Sequence, residues 1–165
     1  MSQISIRMML ISSAMIASLS LVSTSAIAAE EKSLFERLGG TYAIAQTVDH
    51  LVNKLYVNNG LNANPIIKAI HDDKSTMPGF KVMLTNWVVA RTGGPKIYQP
   101  DMFGRGVGMK ESHAHLNISN REFDIIMNEC KNTFYTFNVP EKELGELMAD
   151  LESFRNEIVT FPHKE

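Results

Sequence analysis

Cysteine is almost absent from this chain, Cys130 being the single thiol. One thiol cannot close an internal disulfide, so the fold must stand on its core even in an oxidising compartment. Positive charge is not in excess either: Lys and Arg number 16 against 18 Asp and Glu. That mild acidity gives no electrostatic reason to bind nucleic acid. No CxxC pair, HExxH or carboxylate-rich loop occurs to complete a zinc or calcium site. A glycine-rich phosphate loop and a GxSxG elbow are also missing. Internal repeats, low-complexity stretches and strand-length alternation are lacking as well, which excludes solenoids and leaves little room for a sheet.

Long apolar runs are confined to the start, MSQISIRMMLISSAMIASLSLVSTSAIAAEE. Arg7 gives a small basic beginning, and Met8 to Leu21 is apolar apart from a few serines. Ala26-Ile27-Ala28 then sets small residues at the positions a signal peptidase reads. The pattern predicts a secretory signal peptide over residues 1–28 and one domain over 29–165. A spanning helix needs ~20 strongly apolar residues, and the serines dilute this run. No cysteine follows the junction to carry a lipid anchor. The expected location is therefore periplasmic or secreted, with no membrane contact after cleavage. The remaining domain is large enough to hide about two thirds of its unfolded surface.

The rest of the chain reads as all-α. Ser33-Leu34-Phe35-Glu36 has capping-box spacing and opens a short helix that stops at Gly39-Gly40. Thr41 is expected to cap the next, whose Ile44, Val48, Leu51 and Leu55 recur at helical spacing. Turn-rich VNNGLNANP follows, then a short apolar patch of Ile66, Ile67 and Ile70. A further helix is expected from about Pro78, carrying Phe80, Leu84, Trp87, Val88 and Arg91, and ended by Gly93-Gly94-Pro95. Residues 96–108 (KIYQPDMFGRGVG) read as loop, and MKESHAHL as one or two helical turns. Ser119-Asn120-Arg121-Glu122 is a second capping box, opening a helix with Phe123, Ile126, Met127, Cys130 and Phe134 on one face. Cys130 falls on that apolar stripe and reads as core rather than nucleophile. After Pro140 a last helix is expected to align Leu144, Leu147, Met148, Leu151, Phe154 and Ile158.

Five histidines are the remaining candidates for metal chemistry. His163 lies near the end and reads as solvated, His50 as solvent-facing, and His71, beside two aspartates, as a loop residue. His113 and His115 cannot share one metal on a helix, because residues two apart point about 200° apart. One kind of site needs only a single strong protein ligand and an apolar crevice, namely a haem. His113, on a short helix or loop between long helices, has that setting.

Taken together, several segments resemble the group I truncated haemoglobins, the short two-over-two globins. SLFERLGGTYAIAQTV resembles their opening segment, ARTGGP the end of their distal helix, and MKESHAHLNIS their proximal segment. The resemblance spans about residues 33–159. It implies a truncated-globin-like helical sandwich around haem b, with His113 as the iron ligand and Met109 against the cofactor. His115 is expected at the surface or near a propionate. On the distal side Val52 falls where many relatives have tyrosine, and Phe80 and Leu84 where they often have apolar and glutamine residues. Ile126 adds apolar wall, Tyr98 approaches a propionate, and Ile70 falls near the place where globins press a phenylalanine on the porphyrin.

Val52, Phe80 and Leu84 offer no hydrogen-bond donor to a bound gas. The resemblance therefore implies a globin that takes CO or NO well and holds oxygen loosely, unless Tyr56 or His71 reaches in as a donor. Nitric oxide dioxygenation or peroxidase-like turnover is the catalytic alternative. The former needs firmly held oxygen and an electron donor, which export from the cytoplasm removes. Ligand binding, sensing or scavenging of a diatomic gas is thus favoured over an enzyme. The rival outside this class is a secreted helical binding domain that has lost its haem.

Overall fold

The computed structural model describes residues 31–96 and 108–161. Two short and two long helices open the chain: α1 (Leu34–Arg37), α2 (Gly40–Tyr56), α3 (Pro65–Asp72) and α4 (Met77–Arg91). After the undescribed stretch come α5 (Met109–His113), a 3-10 turn over Ala114–Leu116, α6 (Asn120–Thr136), α7 (Glu141–Glu152) and α8 (Arg155–Ile158). Among the described residues the one extended pairing is an isolated bridge between Ser119 and Phe161. Helix α2 packs on α4, α6 packs on α7, and α2 also lies against α6, giving two helix pairs one over the other. The all-α expectation is met.

Local chemistry sets most helix starts. Both capping boxes form, with the Ser33 hydroxyl accepting from the Glu36 N–H and the Glu36 carboxylate accepting from the Ser33 N–H at 2.9 Å. Ser119 and Glu122 repeat the motif, and there the whole box is buried. Thr41 does not cap α2. Gly39 precedes the helix with φ +88°, so the chain turns through a left-handed glycine and Thr41 already lies in the first turn. At the far end of α4, the Phe35 N–H donates to the Thr92 carbonyl at 2.8 Å, docking α1 there. A Cβ on Gly94 would sit 2.6 Å from the Phe35 ring, so that close approach requires glycine.

Two further expectations are corrected. The isoleucine patch is a helix, because Asn64 caps it with its side chain and Pro65 occupies the first turn. His71 consequently sits in the last turn of α3 rather than in a loop. The final helix breaks after Glu152, where the Ser153 hydroxyl donates to the Asp150 carbonyl, and Ile158 falls on the separate α8.

Three apolar clusters fill the interior. Ile44, Val48, Val52, Tyr56 and Val89 join α2 to α4. Leu51, Cys130, Phe134, Leu144 and Leu147 join α2, α6 and α7. Leu61, Ile67, Ile118, Phe123 and Met127 lie under α3. Cys130 is core, and burial pushes its thiol up to about 12, where it is neutral and inert. Arg37 reaches from α1 to Glu143 and Glu146 of α7, each at 2.5 Å. Arg155 likewise ties α8 to Asp124 of α6 at 2.7 Å.

The buried box at the start of α6 generates a stability prediction. Ser119 is only 2% exposed, so water cannot replace its hydroxyl when it is removed. Ser119→Ala is expected to cost about 1–2 kcal/mol, read as a lower urea midpoint at unchanged slope. An unchanged midpoint would show that the cap is dispensable.

Candidate functional site

Helix α4 is the first anomaly of the packing. It presents Met77, Phe80, Val82, Met83, Leu84, Trp87, Val88 and Val89, yet only Val89 is buried. Large apolar side chains on a helix are ordinarily covered by other elements. Here Met77, Phe80, Leu84 and Val88 lie against the cluster around Val52 without being sealed by it. Val52 itself is 0% exposed. The distal residues expected from the sequence, Val52, Phe80 and Leu84, are thus brought together.

The proximal residues meet on α5. His113 is half-buried, and its Nδ1 lies 2.8 Å from the Met109 carbonyl one turn earlier. A carbonyl only accepts, so Nδ1 carries the proton and Nε2 is left as a bare lone pair. The Ser112 hydroxyl also approaches Nδ1 at 2.9 Å and donates to the same carbonyl at 3.0 Å, holding the ring from a second direction. Met109 therefore orients the imidazole through its backbone, a role additional to the side-chain contact expected of it. Burial is the largest influence on His113 and pushes its pKa down; the Met109 hydrogen bond opposes this, and His115 adds to it. The ring is neutral near pH 7, the form that ligates a metal.

His115 is exposed, as expected. It borders an open hollow of about 600 Å³ with Ile66, Ala69, Ile70, Asp73 and Thr76. Ile70 remains 39% exposed on that hollow. Ile126 lies among Leu55, Met148 and Leu151, at the junction of the two clusters that α6 contributes to. Tyr98 and nearly all of the 96–108 loop fall outside the described residues.

One arrangement escaped the sequence reading. Tyr56, one turn beyond Val52, is buried with its ring stacked on His71, centroids 4.4 Å apart at 26°. The Asn62 amide nitrogen donates to the Tyr56 carbonyl at 3.2 Å, which turns Asn62 Oδ1 toward His71 Nδ1 at 2.7 Å. His71 thereby spends its one N–H on Asn62, and its Nε2 is again a lone pair. Burial, helped by Lys74 and opposed by Asp72, lowers its pKa as well. Tyr56 and His71 are 15 positions apart across a turn, so no spacing rule could pair them.

Among the described residues no three His, Cys, Asp or Glu side chains converge on a metal position. A single bare imidazole nitrogen, in a fold that also leaves apolar side chains of α4 partly open, suits a metal whose other ligands come from a planar apolar macrocycle. The donor set and the unsealed face of α4 fit a haem.

Residues 33–160 match the family model described as bacterial-like globin. The chain belongs to that family. Solved structures similar to this globin include the truncated hemoglobin of Tetrahymena pyriformis in its Fe(III) form, at 23% identity and TM-score 0.60, covering 78% of this chain and 98% of that one. The 2/2 hemoglobin of Synechococcus sp. PCC 7002, cyanomet and with covalently attached heme, matches at 19% and 0.64, covering 79% and 100%. Hemoglobin from the thermophilic phototroph Chloroflexus aurantiacus matches at 20% and 0.63, covering 79% and 100%. At such identities the likeness establishes the two-over-two fold and nothing finer. No curated protein matches the sequence. With the family comes the cofactor: this is a haem-binding globin.

The two half-buried imidazoles, His71 and His113, make the globin without haem acid-sensitive. Their folded-state pKa values lie below the ordinary value of about 6.5. Each therefore contributes stability that is fully present above about pH 6.5 and is lost as pH falls toward the folded-state value. The urea midpoint of the apoprotein should drop between about pH 7.5 and 5, and drop less in His71→Phe. A midpoint equally pH-dependent in that variant would remove His71 from the account.

Proposed function

We propose that this globin is an exported group I truncated haemoglobin that binds a diatomic gas reversibly at an iron ligated by His113 Nε2. The observation that carries the reading is the hydrogen bond from His113 Nδ1 to the Met109 carbonyl. It fixes the tautomer that leaves Nε2 free, and a ligating histidine ordinarily has its other nitrogen tied in this way. Haem b supplies the iron coordination position at which a gas is held. Met109 and Ser112 would orient the His113 ring, and the apolar Val52, Phe80 and Leu84 would offer the cofactor a surface without polar groups.

Distal chemistry argues for binding rather than turnover. Val52, Phe80 and Leu84 carry no donor, and the one N–H of neutral His71 is engaged by Asn62, which leaves the Tyr56 hydroxyl, in the same cluster as Val52, as the one donor of the two considered. Catalysis of the dioxygenase kind needs oxygen held long enough to react and an electron donor to restore ferrous iron. The apolar leader of residues 1–28 supports a periplasmic or secreted location, away from cytoplasmic reductases. Among the described residues no helix is long and apolar enough to cross a membrane. The partner is thus a diffusing gas such as CO, NO or oxygen, met in a pocket with weak preference for oxygen.

A hydrogen bond to a charged acceptor contributes about 1.5–3 kcal/mol, roughly tenfold to over a hundredfold in a dissociation rate. Leu84→Gln adds a donor with little change in volume. Stopped-flow measurement should therefore give oxygen release at least tenfold slower in Leu84→Gln than in the unsubstituted globin. Release from the unsubstituted globin that is already as slow would mean that a donor exists in the pocket.

A further inference from the structure

The segment that follows His113 is held from several directions. Asn117 takes a left-handed φ of +50°. The next carbonyl, that of Ile118, accepts from the N–H groups of Thr160 and Phe161 at 3.0 and 3.2 Å. Ser119 then begins α6. The contact from the distal half of the fold comes from Asn64, which is 8% exposed. Its Nδ2 donates to the Leu116 carbonyl at 3.0 Å and to the Asn117 carbonyl at 3.3 Å. Its Oδ1 accepts from the N–H groups of Ile66 and Ile67, capping α3. One buried amide uses both of its ends, so its orientation is fixed by its partners.

At the other end of α3, His71 stacks on Tyr56 and is held by Asn62, which also binds the Tyr56 backbone. Tyr56 shares a helix face with Val52, one turn away, in the same cluster. Helix α3 therefore spans from the turn three to four residues after His113 to the helix that carries the distal wall. Its middle is seated by Ile67, buried among Leu61, Ile118, Phe123 and Met127. A rigid element anchored at both ends transmits position between them.

We propose that Asn64 is a positioning residue for His113: through the Leu116 and Asn117 carbonyls it fixes, by way of α3, where the iron-ligating segment stands relative to the distal helix. This rests on the reading of His113 as the ligand. The physical reason is economy of constraint. Helix α5 has five residues and no side-chain N-cap, so by itself it is not a stable platform. Losing the two Asn64 donor bonds leaves two carbonyls without that partner and frees the flank of α5 to shift. The cap on α3 is a separate function of the other amide end, so the two can be divided by substitution.

Asn64→Asp keeps the oxygen that caps α3 and removes the donor. Asn64→Ser keeps a capping hydroxyl but is too short to bridge. Both variants should retain helicity and bind haem. In the ferrous protein the iron–imidazole stretching band should shift or broaden, and haem loss to a competing apoglobin should be roughly tenfold faster, the scale of one good hydrogen bond. In the apoprotein, the NMR signals of the His113 ring should move in the same two variants. An unchanged band together with unchanged His113 signals, in variants whose melting temperature alone falls, would reduce Asn64 to a helix cap and overturn the proposal. Absence of an iron–imidazole band in the unsubstituted globin would instead refute the ligand reading, while displaced His113 signals in the apoprotein variants would still show the bridge at work.

Discussion

A hydrogen bond of 2.8 Å between the His113 imidazole and the Met109 carbonyl decides which nitrogen of the ring can meet a metal. Without it, either tautomer is available, and the ring can rotate about its own side chain. With it, the proton is confined to Nδ1, and Ser112 closes the remaining approach. The bond spans one helical turn, so it depends on α5 being helical. Helix α5 is too short to be stable alone, and it docks on α8. Helix α8 is in turn held to α6 by Arg155, which lies over the Phe123 ring. The ligand geometry is thus paid for by the tertiary packing of the C-terminal helices.

The distal half obeys a different constraint. Helix α4 carries more apolar surface than α2 can cover, and most of its large side chains stay partly open. Removing apolar surface from water contributes roughly 25 cal/mol per Å², so a flat apolar cofactor laid on that face would stabilise the fold as well as equip it. Core and site are the same object here. The lone thiol fits this picture: Cys130 sits deep in the α2–α6–α7 cluster and is neutral, so it takes no part in the chemistry. Asn64 and the His71–Asn62 pair enter the interior with hydrogen-bond partners, whereas the buried Thr160 hydroxyl has none among the described residues.

What could be read from the sequence was what is local. The two capping boxes and the apolar stripes of α2 and α6 are patterns within a few residues, and the structure has them where the spacing sets them. The glycine pair after α4 is legible for the same reason, although its tight contact with Phe35 is not. Helix α3 was obscured because eight residues give too short a period to detect, even though Asn64-Pro65 is a recognisable helix start. The division of the last helix at Ser153 has no proline or glycine to announce it. Val52, Phe80, Leu84 and His113 were singled out by the resemblance through order and spacing, and the structure packs Phe80 and Leu84 against the cluster that holds Val52. The stack of His71 on Tyr56 and the bridge from Asn64 to the 116–117 turn join residues far apart in the chain, and such pairings are made by tertiary packing alone.

Gas binding as proposed depends on one bond, from the His113 imidazole nitrogen to iron. It is tested most directly by replacing His113 with glycine and supplying the missing ring from solution. Haemin added to the His113→Gly protein should give a weakened, displaced Soret band, and free imidazole should restore the spectrum of the unsubstituted globin. A normal spectrum in His113→Gly before any imidazole is added would contradict the account, because the iron would then be held by another group.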